Sequence, residues 1–228
     1  MRTRLFASIL ALFCLASCEV TPIEVKPSEK DNKYTAADGV AYLYDGTVLP
    51  EMHIDISESE WNRLLKAFDR DSNTKEQVVC KVTYDKAGEI SVIDSATVRL
   101  KGNTSRRRPE GGNGQMHQSG NTDWHHCHFQ VNFRKLIKDD AHELHGARKV
   151  ILKWFKDDPS YVREPYCFDL FRRAGVWTGV HSAYCKLYIH VGNDPEEAYF
   201  GIYNMIEPID DEYLKVRKEE LGGKKDGF

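Results

Sequence analysis

The sequence predicts an α+β fold, a mostly antiparallel sheet connected by hairpins, with helices interspersed along the chain. Three observations predict it. Residues 77–84 and 89–100 read as strands joined through Asp85-Lys86-Ala87-Gly88, a hairpin signal. Residues 183–190 and 198–206 repeat that arrangement around Gly192-Asn193-Asp194-Pro195. Between and beside them lie segments with helical spacing, such as Trp61, Leu64, Leu65 and Phe68 on one face. Hairpins require antiparallel neighbours, so an all-parallel sheet is excluded.

The elements follow in order. His53-Ile54-Asp55-Ile56 alternates like a strand, and Ser57 with Glu60 forms a capping box for the helix after it. Residues 101–123 form a long polar stretch that holds several glycines and Arg106-Arg107-Arg108, a length that marks a functional or disordered loop. Residues 127–133 alternate again, with Cys127, Phe129, Val131 and Phe133 on one face and His128, Gln130 and Asn132 on the other. Residues 149–155 make another strand. Asp158-Pro159 begins a short turn, since Pro165 cannot sit inside a helix, and a helix then runs from Pro165 to Arg173 and stops at Gly175. Asp210 caps a last helix reaching about Val216.

The first residues predict where the protein resides. Arg2 and Arg4 precede an almost wholly apolar run, residues 5–15, which is too short to cross a bilayer. Leu15-Ala16-Ser17-Cys18 resembles the bacterial lipobox, so residues 1–17 are expected to be a lipoprotein signal and Cys18 the lipidated N-terminus. Residues 18–37 are polar and contain two prolines, which predicts a flexible tether, and residues 38–228 form the domain. The expectation is an exported, membrane-anchored lipoprotein of the cell envelope or surface.

The chain has 32 basic and 35 acidic residues; without the signal, which carries two arginines and no acid, the balance is about −5. That excludes a general nucleic-acid binder. Cys80, Cys127, Cys167 and Cys185 remain in the domain without CxxC spacing, which leaves disulfides and buried thiols both open.

The chemistry points to the first strand-to-loop exit. Arg99-Leu100-Lys101-Gly102-Asn103-Thr104-Ser105 leaves a strand with glycine, hydroxyl and basic residues, a set able to offer backbone N–H groups and positive charge to phosphate oxygens. This segment resembles the RxRGNSS-like element of the CotH kinase family. Residues 150–164, 168–176, 184–190 and 199–210 resemble further elements of that family in the same order. The resemblance runs from about His53 to the C-terminus. It implies a distant protein-kinase-like N-terminal part and transfer of phosphate from ATP, with Mg²⁺ or Mn²⁺, to serine of a protein substrate. Lys101, Gly102, Asn103 and Ser105, with Arg99, would cover the phosphates. Arg163 and Glu164 would build the nucleotide cleft from a helix start, and Glu207 would lie near the adenine. Arg163 and Glu164 also read as a helix-start ion pair, and Glu207 as a strand-end surface acid.

Two departures from the family pattern stand out. Gln130 and Asn132 occupy positions where the family commonly has lysine in a KxYKIKF-like strand, leaving Lys101, Lys135 or Lys153 to replace a phosphate-pairing lysine. The chain also stops at Lys224-Lys225-Asp226-Gly227-Phe228, before the family's catalytic base and metal-binding aspartates. The expectation is therefore the N-terminal part of a longer protein, inactive alone and without catalytic residues of its own. The alternative is a non-catalytic surface lipoprotein that binds a protein partner. His117, His125, His126 and His128 gather near Cys127, but strand alternation separates the thiol from two of the imidazoles, so no metal site is assigned. Arg106 to Arg108 read as an exposed loop face, and Trp61, Phe68 and Trp154 as core.

Overall fold

A computed structural model describes residues 34–139 and 142–221. The expected signal, Cys18 and all but the last four residues of the expected tether lie outside the described residues. The first element, helix α1 (Ala36–Leu43), begins within the segment read as tether. Thr35 and Asp38 start it through a capping box: the Thr35 hydroxyl accepts the Asp38 N–H at 3.2 Å, and the Asp38 carboxylate accepts the Thr35 N–H at 2.7 Å. Gly39 lets α1 approach a turn, because a Cβ there would lie 2.6 Å from the Ala147 nitrogen.

Alternating apolar residues build seven strands: β1 (Glu51–Ile56), β2 (Val78–Lys86), β3 (Glu89–Lys101), β4 (His128–Asn132), β5 (Lys149–Lys153), β6 (Ser182–Val191) and β7 (Ala198–Ile206). They close into a barrel in the order β1-β2-β3-β4-β5-β7-β6. The predicted hairpins are present as β2–β3 and β6–β7. The β2–β3 turn places Ala87 and Gly88 at φ 57° and 87°, the left-handed pair that a two-residue hairpin turn requires.

The expected α+β fold, a mostly antiparallel hairpin-connected sheet with a kinase-like N-terminal part, is not what forms: the sheet is a closed mixed barrel. β1 pairs in parallel with β6, from Glu51 opposite Lys186 to Ile56 opposite Val191, and this joins the two free edges. Closure removes the unpaired N–H and C=O groups that both edge strands would otherwise present. Register shifts between Cys80 and Val82 and between Leu187 and Tyr188 bend the long hairpins around the barrel.

The inward positions fill the lumen with side chains. Met52, Ile54, Tyr84, Val98, Phe129, Val131, Leu152, Leu187, Tyr203 and Met205 are fully buried in one core cluster. Each such apolar side chain contributes about 1.5–3 kcal/mol by leaving water. Helix α2 (Glu58–Arg70) adds Trp61, Leu64 and Leu65 to that core, while Phe68 and Trp154 pack at its margin. Ser57 caps α2 by accepting the Glu60 N–H at 3.3 Å. The Glu60 carboxylate instead takes the Val79 N–H at 2.7 Å, so the cap also ties α2 to β2. Helices α3 (Arg163–Arg173) and α4 (Asp211–Leu221) lie later in the chain, and α4 packs against α1. The four cysteines are free thiols, Cys80, Cys127 and Cys185 buried and Cys167 exposed.

The long stretch after β3 is ordered, and its arginines explain how. Arg108 is buried and bonds Asp69 at 2.8 Å and the carbonyls of Glu110 and Gln115. Arg106 bonds the carbonyls of Gly102 (2.7 Å) and Thr74. Arg107 alone is exposed, so the expected arginine face is mostly a set of staples. Glu110, 1% exposed, accepts the Trp61 indole N–H at 2.6 Å and faces His117, whose far nitrogen lies 3.3 Å from Asp194. The loop is thereby fastened to α2 and to the β6–β7 turn.

Candidate functional site

Strand register sets four polar side chains in a row across the outer wall of the barrel. Lys101, the last residue of β3, pairs with His128 of β4. Phe129 pairs with Leu152, which brings His128 beside Lys153, and Lys153 pairs with Asn204 of β7. Their neighbours along the strands, Leu100, Phe129, Leu152 and Tyr203, point into the core, so alternation sends the row outward.

A cleft of about 670 Å³ lies over this row. The Gly102–Ser105 turn closes one side and α3 another. Its far end is apolar, lined by Phe168, Phe171, Val176, Val180, Ile206 and Ile209. A concave site with an apolar body and a few convergent polar groups is the common form of a small-molecule pocket.

Local chemistry fixes the polar end. The Asp158 carboxylate accepts the Ser160 N–H at 3.1 Å and the Arg163 N–H at 2.7 Å, which starts α3 and sets Glu164 in its first turn. Hydrogen bonding from Ser160 leads the effects that hold the Asp158 pKa below the usual carboxylate range. Glu164 pairs with the Lys153 ammonium through one oxygen and accepts the Asn204 side-chain N–H through the other at 3.0 Å. The Lys153 and Glu164 side chains are 44% and 27% exposed, and such a pair adds at most about 1 kcal/mol to stability. Its effect is to aim the ammonium at the cleft. Asn204 is fully buried, and among the described residues its carbonyl oxygen has no hydrogen-bond partner.

Lys101 differs. No carboxylate among the described residues pairs with it, and burial, followed by Arg99 and Arg106, pulls its pKa down. A cation so placed gains from an incoming anion. Gly102 adopts φ +118°, and a Cβ there would lie 2.8 Å from the Ser105 hydroxyl, so this turn needs glycine. Glu207 lines the cleft, but its carboxylate is committed. It accepts from the His181 N–H at 3.0 Å, from His181 Nδ1 at 2.8 Å and from Arg217 at 2.8 Å. Burial raises its pKa, but these hydrogen bonds and the Arg217 charge together outweigh that and leave it low.

Of the residues singled out from sequence, Lys101, Gly102, Ser105, Lys153, Glu164 and Glu207 meet around one cleft. Arg99, Asn103 and Arg163 do not line it. Arg99 donates to Gln130 Oε1 at 2.6 Å, Asn103 is exposed, and the Arg163 side chain is 73% exposed near Asp158. Gln130 thus holds Arg99, and Asn132 bonds the Arg134 N–H at 3.1 Å, both away from the cleft. Sequence reasoning missed Asn204, whose polar character amid an apolar strand was the available signal. It also missed His128 as part of this site, although its outward position on β4 was read.

The cleft joins the cationic side chains of Lys101 and Lys153 to an apolar lining. A dedicated metal cage is another matter: among the described residues no three His, Cys, Asp or Glu side chains are arranged to hold an ion. The two carboxylates that line the cleft, Glu164 and Glu207, are both engaged by protein cations or amides.

Fold and site together define a closed mixed β-barrel with a cleft on its outer wall that is lined by two lysines. Residues 98–226, more than half of the chain and every residue that lines this cleft, match the family described as CotH kinase protein, and the chain belongs to that family. No curated protein and no solved structure matched the chain.

Proposed function

We propose that this protein binds ATP in the cleft and serves transfer of its γ-phosphoryl group to serine of a protein substrate. The observation that carries the reading is the convergence of Lys101 and Lys153 at the polar end of a cleft with an apolar far end. An adenine ring would occupy the apolar end, and the phosphates would reach the lysines. Lys153 can give its ammonium donors to phosphate oxygens while Glu164 keeps it in place, the same lysine–glutamate device that protein kinases use. The Gly102 turn brings backbone close to the phosphates, and Ser105 adds a hydroxyl. Phosphoryl transfer is mostly positioning and charge neutralisation, which such groups provide. Mg²⁺ or Mn²⁺ would neutralise the phosphates; among the described residues no three His, Cys, Asp or Glu side chains are arranged to hold it.

Export and a lipid on Cys18 belong to the same proposal, supported by the lipobox-like Leu15-Ala16-Ser17-Cys18. Among the described residues no helix is long and apolar enough to cross a membrane. Such a protein would act on a neighbour within reach of its tether.

The test is incubation of the full-length gene product with γ-labelled ATP, Mg²⁺ or Mn²⁺ and candidate acceptor proteins. Label on serine, lost in Lys153→Ala, is expected. ATP binding without transfer under every metal would favour the second reading, a non-catalytic surface protein that binds a partner. That reading rests on Gln130 holding Arg99 off the cleft and on the engaged carboxylates. Metabolic labelling with a fatty-acid analogue checks the anchor: label should be absent from Cys18→Ala.

A further inference from the structure

The cleft floor holds a third donor between its two lysines. His128 is 4% exposed, lines the cleft and lies in register between Lys101 and Lys153. Its Nδ1 accepts the backbone N–H of Trp154 at 2.9 Å. A nitrogen that accepts carries no proton, so the neutral ring must carry its proton on Nε2. Among the described residues nothing hydrogen-bonds that Nε2–H. Protonating the ring would break the Trp154 bond and set a third cation beside two ammonium groups. Burial first, and then the Lys153 charge, hold the imidazole pKa down to about 4, in agreement with that geometry.

We propose that His128 is a nucleotide-binding residue that, as a neutral imidazole, donates its Nε2–H to a phosphate oxygen between the ammonium groups of Lys101 and Lys153. The inference rests on the nucleotide reading above. A neutral donor suits this place on the strand because it adds a directed hydrogen bond without adding to the repulsion between the lysines. The donor also cannot swing away, since the Trp154 bond fixes the ring from the other side. The row then offers charge at its two ends and direction at its centre.

Calorimetric titrations with ATP plus Mg²⁺ and, separately, with adenosine test this in the wild type, His128→Phe and His128→Gln. Removing one hydrogen bond to a charged group should weaken ATP binding about tenfold in His128→Phe. Adenosine binding should stay unchanged, and the amide donor of His128→Gln should restore most of the ATP affinity. Equal ATP affinity in His128→Phe and wild type, or an equal loss for adenosine, overturns the role. Imidazole ¹⁵N resonances of the wild-type protein give an answer that needs no variant. The Nε2–H tautomer with a shift on adding ATP but not adenosine is expected, whereas an Nδ1–H tautomer or an unmoved Nε2 overturns the proposal. Failure of the wild type to bind ATP at all would instead refute the nucleotide reading itself.

Discussion

Replacing Glu207 with alanine should damage the fold more than the cleft. Glu207, His181 and Arg217 are each no more than 4% exposed. The carboxylate accepts two hydrogen bonds from His181 and pairs with Arg217 at 2.8 Å, while Arg217 also donates to the Gly179 carbonyl at 2.8 Å. Without the carboxylate, the buried guanidinium loses its 2.8 Å ion pair, and breaking a buried pair by removing one partner costs about 3–5 kcal/mol. For a domain of this size that is a fall in Tm of roughly 6–20 °C. Removing both charges, as in Glu207→Leu with Arg217→Met, should recover most of the loss, since a buried pair costs most when only one of its partners is removed. Urea denaturation at pH 7 with unchanged m-values measures both. Because the folded pKa of Glu207 lies below its unfolded value, its contribution is present above that unfolded value and is lost as pH falls. A single-variant loss under about 1 kcal/mol, or a double variant as unstable as the single, would refute the reasoning.

Other perturbations follow from the same geometry. Gly102→Ala forces a side chain into φ +118° and against the Ser105 hydroxyl, and should cost about 1–3 kcal/mol in denaturant melts while weakening ATP binding. Trp61→Phe removes the indole N–H from the buried Glu110 carboxylate and should cost about 1–3 kcal/mol, with faster hydrogen exchange in residues 108–124. His128 has a folded pKa below its unfolded value, so the unfolded state binds the extra proton between pH 6.5 and about 4. Stability should therefore rise with pH across that window by roughly 1–2 kcal/mol after allowance for solvent screening, and His128→Gln should flatten that rise.

Short-range signals carried much of the fold. The turn at Ala87-Gly88 and the alternation from Cys127 to Phe133 placed two hairpin arms and the β4 faces correctly, because both are properties of adjacent residues. Barrel closure was not legible. It depends on β1 meeting β6 some 135 residues away, as in Asp55 opposite His190, and a period of two says nothing about which distant strand is the partner. Helix α1 was obscured by the polar composition before it, although Thr35 and Asp38 carried its cap. Arg108 was read as exposed because arginine usually is; only the fold shows Asp69 and two carbonyls converging on it.

The site was legible where residues of one strand exit cluster, as with Lys101, Gly102 and Ser105. Lys153 and Glu164, eleven residues apart, were each singled out, but their pairing depends on where α3 begins, at Arg163, whose N–H Asp158 accepts. Glu207 proved to be tied to Arg217, a partner ten residues on in a helix that the sequence extended only to about Val216.

In the proposed function the outer-wall row of Lys101, His128 and Lys153 receives nucleotide phosphate. Its most direct test is a crystal structure of the protein with a non-hydrolysable ATP analogue and Mg²⁺. Phosphate oxygens are expected about 3 Å from Lys153 Nζ and His128 Nε2, with the adenine among Phe168, Phe171 and Ile206. A nucleotide bound elsewhere, or bound here with its phosphates turned away from that row, would contradict it.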